Sequence, residues 1–167
     1  MNKTLIVYGT RKGTTTDTVN AMAEVLRTDY GFEVDICASG SLRLYKKRIN
    51  EFDNIIIGTS IVSGRWKSSI LSFTRKKLFE GKHVAVFVTA GGTMNKVKKY
   101  GIKKTEAANE AIEKYIDKYL DKFKFSPVSK AAFGGKVIKK EKTKYNNWDQ
   151  SDIIAWTKEL GSKLMRN

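Results

Sequence analysis

The chain has 167 residues, 41% of them hydrophobic and three of them Trp, enough to bury a core within one domain spanning residues 1–167. Its single Cys, Cys37, rules out an internal disulfide and a cysteine-held metal or iron–sulfur site, while a single His, His83, argues against a histidine-clustered metal or a Ser-His-Asp triad. Lys and Arg number 32 against 17 Asp and Glu, a formal net charge of +15 that would attract nucleic acid, anionic lipid or an acidic protein.

The first strand is expected at Thr4–Tyr8, an apolar run that stops abruptly at the loop Thr10-Arg11-Lys12-Gly13-Thr14-Thr15. A helix over Thr15–Thr28 follows, its apolar positions Val19, Met22, Ala23 and Leu26 recurring at helical spacing. A strand, a hydroxyl-glycine loop and a helix make an anion site, because the first-turn N–H groups and the helix dipole both favour negative charge. No Gly-Lys-Ser/Thr closes the loop and only one glycine sits in it, so it is neither a P-loop nor a dinucleotide fingerprint. It suits a bound monophosphate better than phosphoryl transfer. The plainer alternative is that Thr14 or Thr15 caps the helix and Gly13 serves the turn.

Further strands are expected at Phe32–Cys37, Asn54–Gly58, His83–Thr89 and Ala131–Ile138. Helices are expected at Lys67–Phe79, Thr105–Phe123 and Trp148–Met165, with a short basic stretch, Ser41–Asn50, crossing between the second and third strands. Ile55-Ile56-Ile57 and Val84-Ala85-Val86-Phe87-Val88 show no alternation, as suits parallel strands covered on both faces. Five strands with intervening helices imply a three-layer α/β sandwich.

In such sheets ligands bind beyond the carboxyl ends of the strands, where strand order reverses. The loops Gly58-Thr59-Ser60-Ile61-Val62-Ser63-Gly64-Arg65-Trp66 and Thr89-Ala90-Gly91-Gly92-Thr93-Met94 are both small, glycine-rich and hydroxyl-bearing. Trp66 either covers a flat ligand or anchors the start of a helix on the core. Tyr100, amid Lys98, Lys99 and Lys103, reads as an exposed loop position.

With these loops the chain resembles the flavodoxin family of FMN proteins. Thr10-Arg11-Lys12-Gly13-Thr14-Thr15 matches the family's phosphate loop, hydroxyl-x-x-Gly-x-Thr, and Gly58 to Trp66 and Thr89 to Thr93 fall where its isoalloxazine-contacting loops belong. Within that family it is most similar to the branch containing menaquinone-dependent protoporphyrinogen dehydrogenase. The matching residues are Thr10-Arg11-x-Gly13-x-Thr15, Ile57-Gly58-Thr59-Ser60-Ile61-x-x-Gly64 and Asn147-Trp148-Asp149-Gln150. The resemblance implies a flavodoxin-like five-stranded parallel sheet in order 2-1-3-4-5, with FMN as cofactor at the switch point. It implies that Thr10, Thr14 and Thr15 bond the phosphate through hydroxyls, joined by backbone N–H groups that include those of Arg11, Lys12 and Gly13. Thr59, Ser60, Ile61, Val62, Ser63, Gly64 and Trp66 would flank one side of the flavin, and Thr89, Ala90, Gly91 and Gly92 the other. Val62 stands closer than Trp66 to the family's usual stacking position.

The function implied is electron transfer between protein partners. The alternatives are an FMN-dependent dehydrogenase or quinone reductase, or a basic binding module that has lost its flavin. Two departures bear on this choice. Family carriers are usually acidic, so this basic chain calls for acidic redox partners or an anionic membrane surface. The protoporphyrinogen dehydrogenase branch has a long insertion after the fifth strand, whereas here only Lys139 to Asn147 joins Ile138 to the last helix. No zinc-finger, RNA-recognition or helix-turn-helix pattern points to nucleic acid. With no apolar run long enough to span a bilayer and no signal-peptide core, the expected location is the cytoplasm, either free or at the inner face of the membrane.

Overall fold

The computed structural model describes residues 2–11 and 13–167, with backbone alone at 137–139 and 143–145. The elements follow in chain order: β1 (Lys3–Gly9), α1 (Thr14–Tyr30), β2 (Glu33–Ala38), α2 (Leu42–Lys46), β3 (Asn54–Ser60), α3 (Ser68–Thr74), β4 (His83–Thr89), α4 (Gly91–Met94), α5 (Lys96–Tyr100), α6 (Lys104–Tyr115), β5 (Ser129–Phe133), β6 (Lys136–Lys139), β7 (Lys142–Asn146) and α7 (Gln150–Met165). The main sheet has five parallel strands in the order β2-β1-β3-β4-β5. Chain order reverses at β1, whose neighbours are β2 on one side and β3 on the other. The carboxyl ends of β1, β3 and β4 therefore share one crevice.

Each central strand sends alternate side chains into opposite cores. Leu5, Val7, Ile55, Ile57, Val84 and Val86 pack with Ile70, Phe73, Ala111 and Ile116 from α3 and the segment around α6. Ile6, Ile56, Ala85 and Phe87 pack with Val19, Met22 and Leu26 of α1 and Ile153, Leu160 and Leu164 of α7. With both faces covered, the strands lose the alternation of a half-exposed sheet. Gly58 lies inside β3 because Phe87 fills the space beside it: a Cβ there would stand 2.0 Å from Phe87 Cζ. The Cys37 thiol is buried, and burial pushes its pKa up to about 11, which leaves it unreactive at neutral pH.

Three sequence expectations change. The strand expected at Ala131–Ile138 ends at Phe133, and the chain turns into an antiparallel β6–β7 hairpin. The break comes at Gly134, where a side chain would strike the Asn147 carbonyl oxygen at 2.0 Å. The hairpin turns at Lys140 and Glu141, both with positive φ (49° and 62°), the geometry of a two-residue primed turn without its usual Asn or Gly. The helix expected at Lys67–Phe79 stops at Thr74, whose hydroxyl bonds back to the Leu71 carbonyl while its own carbonyl accepts the Lys124 N–H. The helix expected to reach Phe123 ends at Tyr115 and continues as a 3-10 turn over Asp117–Tyr119.

Candidate functional site

At the carboxyl edge of the sheet, three loops enclose a cavity of about 320 Å³. That lies within the range of small-ligand sites. The loop after β1 contributes Thr10, Thr14 and Thr15, and the loop after β3 contributes Ser60, Ile61, Val62, Ser63 and Gly64. The end of β4 and the start of α4 contribute Thr89, Ala90, Gly91 and Gly92. These stretches were singled out from the sequence, and the fold brings them together.

The β1 loop is built to meet an anion. Gly13 caps α1 with a left-handed φ of 82° and no side-chain cap bond. Its carbonyl accepts the N–H groups of Thr16 and Asp17, and among the described residues no acceptor meets the N–H of Thr14 or Thr15. These two first-turn donors sit at the positive end of a 17-residue helix. Thr10 Oγ1 accepts the Gly13 N–H at 2.9 Å, and Thr14 Oγ1 accepts the Lys136 N–H at 3.3 Å. Because each hydroxyl spends a lone pair on a backbone donor, its O–H is left to donate elsewhere. Thr15 is different: its hydroxyl, fully buried, pairs with Thr89 Oγ1 at 2.9 Å and ties α1 to the end of β4.

The second wall is fixed by a tight reversal. Val62 and Arg65 exchange two backbone hydrogen bonds of 3.1 Å across Ser63 and Gly64, whose φ values of 51° and 72° define a primed turn. The Ile61 N–H donates to the Thr89 carbonyl, extending the β3–β4 ladder one residue beyond the strand. Ser60 lines this same wall, and its Oγ is buried with no hydrogen-bond partner among the described residues.

Four other expected residues support the site without lining it. Arg11 donates to the carbonyls of Arg65 (3.2 Å) and Trp66 (2.7 Å), clamping the β1 loop to the β3 loop. Gly13 provides the turn and the helix cap. Thr59 is fully buried, with its hydroxyl accepting the Lys67 N–H at the start of α3. Trp66 is 4% exposed and packs against Tyr119 and Phe123, so it is the core anchor and not a cover for the cavity. Its indole N–H donates to the Tyr115 carbonyl at 2.6 Å. Lys12 lies outside the described residues.

Thr93, from the loop after β4 already singled out, and Tyr115, Gly135 and Lys136, which the sequence reading missed as site residues, complete the lining. Thr93 Oγ1 donates to the Tyr115 hydroxyl at 3.3 Å, closing the floor. Gly135 and Lys136 arrive with the hairpin that the sequence reading had merged into a longer strand. Their one visible signal was the Gly134-Gly135 pair after a strand.

These features fit a ligand with an anionic end and a flat body. A model of the flavodoxin domain matches residues 5–164. The chain belongs to the flavodoxin domain family. Solved structures agree on the fold of this flavodoxin domain. Oxidised flavodoxin 1 from Bacillus cereus superposes with a TM-score of 0.62 at 14% identity, with 99% of each chain covered. The flavodoxin of Streptococcus pneumonia TIGR4 gives 0.62 at 17% identity, covering 96% of this chain and 99% of that one. Rubredoxin oxygen:oxidoreductase from Desulfovibrio gigas gives 0.64 at 14% identity, covering 99% of this chain but 37% of its own length. At these identities the likeness is one of fold. No curated protein sequence matches this flavodoxin domain significantly.

Proposed function

We propose that this flavodoxin domain binds FMN in the cavity and serves as a redox protein that passes electrons between protein partners. The observation that carries the reading is the convergence, on one cavity at the switch point, of the first turn of α1, whose Thr14 and Thr15 N–H groups meet no acceptor among the described residues, with the hydroxyl- and glycine-rich ends of β3 and β4. The N–H groups of Thr14 and Thr15 and the hydroxyls of Thr10 and Thr14 would hold the phosphate. Ser60 to Gly64 and Ala90 to Gly92 would flank the flavin ring, with Ser60 Oγ a hydrogen-bond partner for one of its polar atoms. The bound cofactor supplies reversible transfer of one or two electrons. The protein's part is to grip, orient and partly dehydrate it, and none of these tasks needs a general base.

The charge of the chain supports an acidic partner. Lys98 and Lys99 on α5, Lys136, Lys140 and Lys142 on the hairpin, and Arg65 beside the β3 turn are all exposed. Lys98 Nζ donates to the Asn146 carbonyl, joining α5 to the hairpin as one basic lip of the cavity. Such a surface speeds encounter with an acidic protein at low salt. An anionic membrane surface is the other partner such a charge would meet, and no helix among the described residues is long and apolar enough to cross a membrane.

One observation favours a second reading, an FMN-dependent dehydrogenase or quinone reductase like the protoporphyrinogen dehydrogenase branch. The β3 loop presents Val62 to the cavity while Trp66 is withdrawn into the core, which leaves the ligand's face uncovered by an aromatic from this loop. The absorbance spectrum of the purified protein, supplemented with FMN, tests the cofactor, and the reduced protein then tests the function. Rapid reoxidation by an acidic ferredoxin-type protein, slowed by salt, supports the carrier. Multiple turnovers with a soluble quinone, insensitive to salt, support the reductase. A colourless protein that FMN does not reconstitute overturns both and leaves a basic module on this fold.

A further inference from the structure

Among the described residues, Lys136 is the one lining the cavity whose side chain carries a charge; the others are small, hydroxyl-bearing, aliphatic or, at Tyr115, phenolic. It arrives from an unexpected direction. The β1 loop and α1 form the anion end of the cavity, yet the cation comes from the β6–β7 hairpin more than a hundred residues later. Two contacts hold it there. The Lys136 N–H donates to Thr14 Oγ1 at 3.3 Å, and Gly135 lies against Thr14, where a Cβ would stand 3.5 Å from Thr14 Cγ2. The hairpin is thus joined to the first residue of α1, which sets Lys136 at the rim of the phosphate end.

Helix N–H groups and threonine hydroxyls supply partial charges, whereas a phosphate monoester carries close to two full negative charges at neutral pH. Resting on the FMN reading, we propose that Lys136 is the phosphate counter-charge of this site, and that through it the protein selects the phosphorylated flavin over the bare one. A charge-assisted bond to a phosphate is worth about twice a neutral one, and an ammonium on a flexible stem meets a phosphate as a point charge. Among the described lining residues none at the flavin-ring end carries a charge, so the preference falls on the phosphate alone.

The test is an equilibrium titration with FMN and with riboflavin, followed by quenching of flavin fluorescence, for the wild-type protein and the variants Lys136→Gln, Lys136→Arg and Lys77→Gln. The inference expects Lys136→Gln to weaken FMN binding about tenfold or more at low salt. Riboflavin affinity should stay the same, and the FMN loss should shrink as salt rises. Lys136→Arg should retain most of the FMN affinity, and Lys77→Gln, an exposed lysine after α3 and away from the cavity, should bind like wild type. If Lys136→Gln binds FMN as wild type does, or weakens FMN and riboflavin equally, the inference fails while the FMN reading stands. If the wild-type protein binds neither flavin, the FMN reading itself fails.

Discussion

Ser60 lines the cavity with a hydroxyl that is buried and meets no partner among the described residues, which sets folding stability against ligand binding. Removing an unsatisfied buried polar group relieves its desolvation cost, so Ser60→Ala should raise the apoprotein's stability by about 1 kcal/mol in urea unfolding. The same change should weaken FMN binding about three- to tenfold, the value of one hydrogen bond. Lower stability with unchanged binding would show that the hydroxyl serves the fold. Gly13 separates the two effects differently. A Cβ there meets nothing within 4 Å, but φ is +82°. Gly13→Val should therefore cost roughly 1–2 kcal/mol through left-handed backbone strain, with no steric clash, and should also loosen FMN by moving the Thr14 and Thr15 donors. Gly58→Ala meets Phe87 head-on and should destabilise the protein by about 3 kcal/mol or more, measured by the same unfolding. At this scale, sequence alone located the hydroxyls but not their partners. Thr15 reads as a phosphate ligand, yet its neighbour Thr89 is 74 residues away, and only the pairing of distant strands reveals that its hydroxyl is already engaged.

Among the elements, α7 has the best-defined cap. Asp149 accepts the Ser151 N–H and hydroxyl and pairs with Lys104 at 2.8 Å, and these bonds, with Lys104 the largest cause, hold its pKa near 2. The carboxyl titrates lower in the folded chain than in the unfolded one. Its stabilisation is therefore full above the unfolded value near 4 and is lost as pH falls through about 2. Asp149→Ala should cost about 1 kcal/mol at pH 7, and the gap to wild type should narrow steadily below pH 4 in acid-unfolding curves. The main strands were legible because Val- and Ile-rich runs of 5 to 7 residues cannot be satisfied except in a covered sheet. The β6–β7 hairpin was not. Its Lys140-Glu141 turn lacks the Asn-Gly signal, and its strands carry many lysines in place of an apolar face. Missing the hairpin also meant missing Lys136. Trp66 was undecidable from sequence because its indole partner, the Tyr115 carbonyl, lies 49 residues on.

For the whole molecule, the net charge of +15 and the basic lip formed by α5 and the hairpin govern encounter more than stability. Association with an acidic redox protein should slow about tenfold or more between 20 mM and 500 mM salt, as stopped-flow mixing would show, because the Debye length falls well below the distances over which the lip acts. Reoxidation by an uncharged quinone should hardly change over that range. The three-layer architecture was readable from the alternation of strands and helices, whereas the strand order came from the resemblance to the flavodoxin family, and the sheet has that order. The central claim is that the switch-point cavity is the flavin site. Amide NMR of the labelled protein during an FMN titration tests it most directly. The account expects shifts concentrated at Thr10–Thr15, Ser60–Gly64, Thr89–Gly92 and Gly135–Lys136, saturating at one equivalent. Shifts that cluster elsewhere, or a spectrum that FMN leaves untouched, would contradict it.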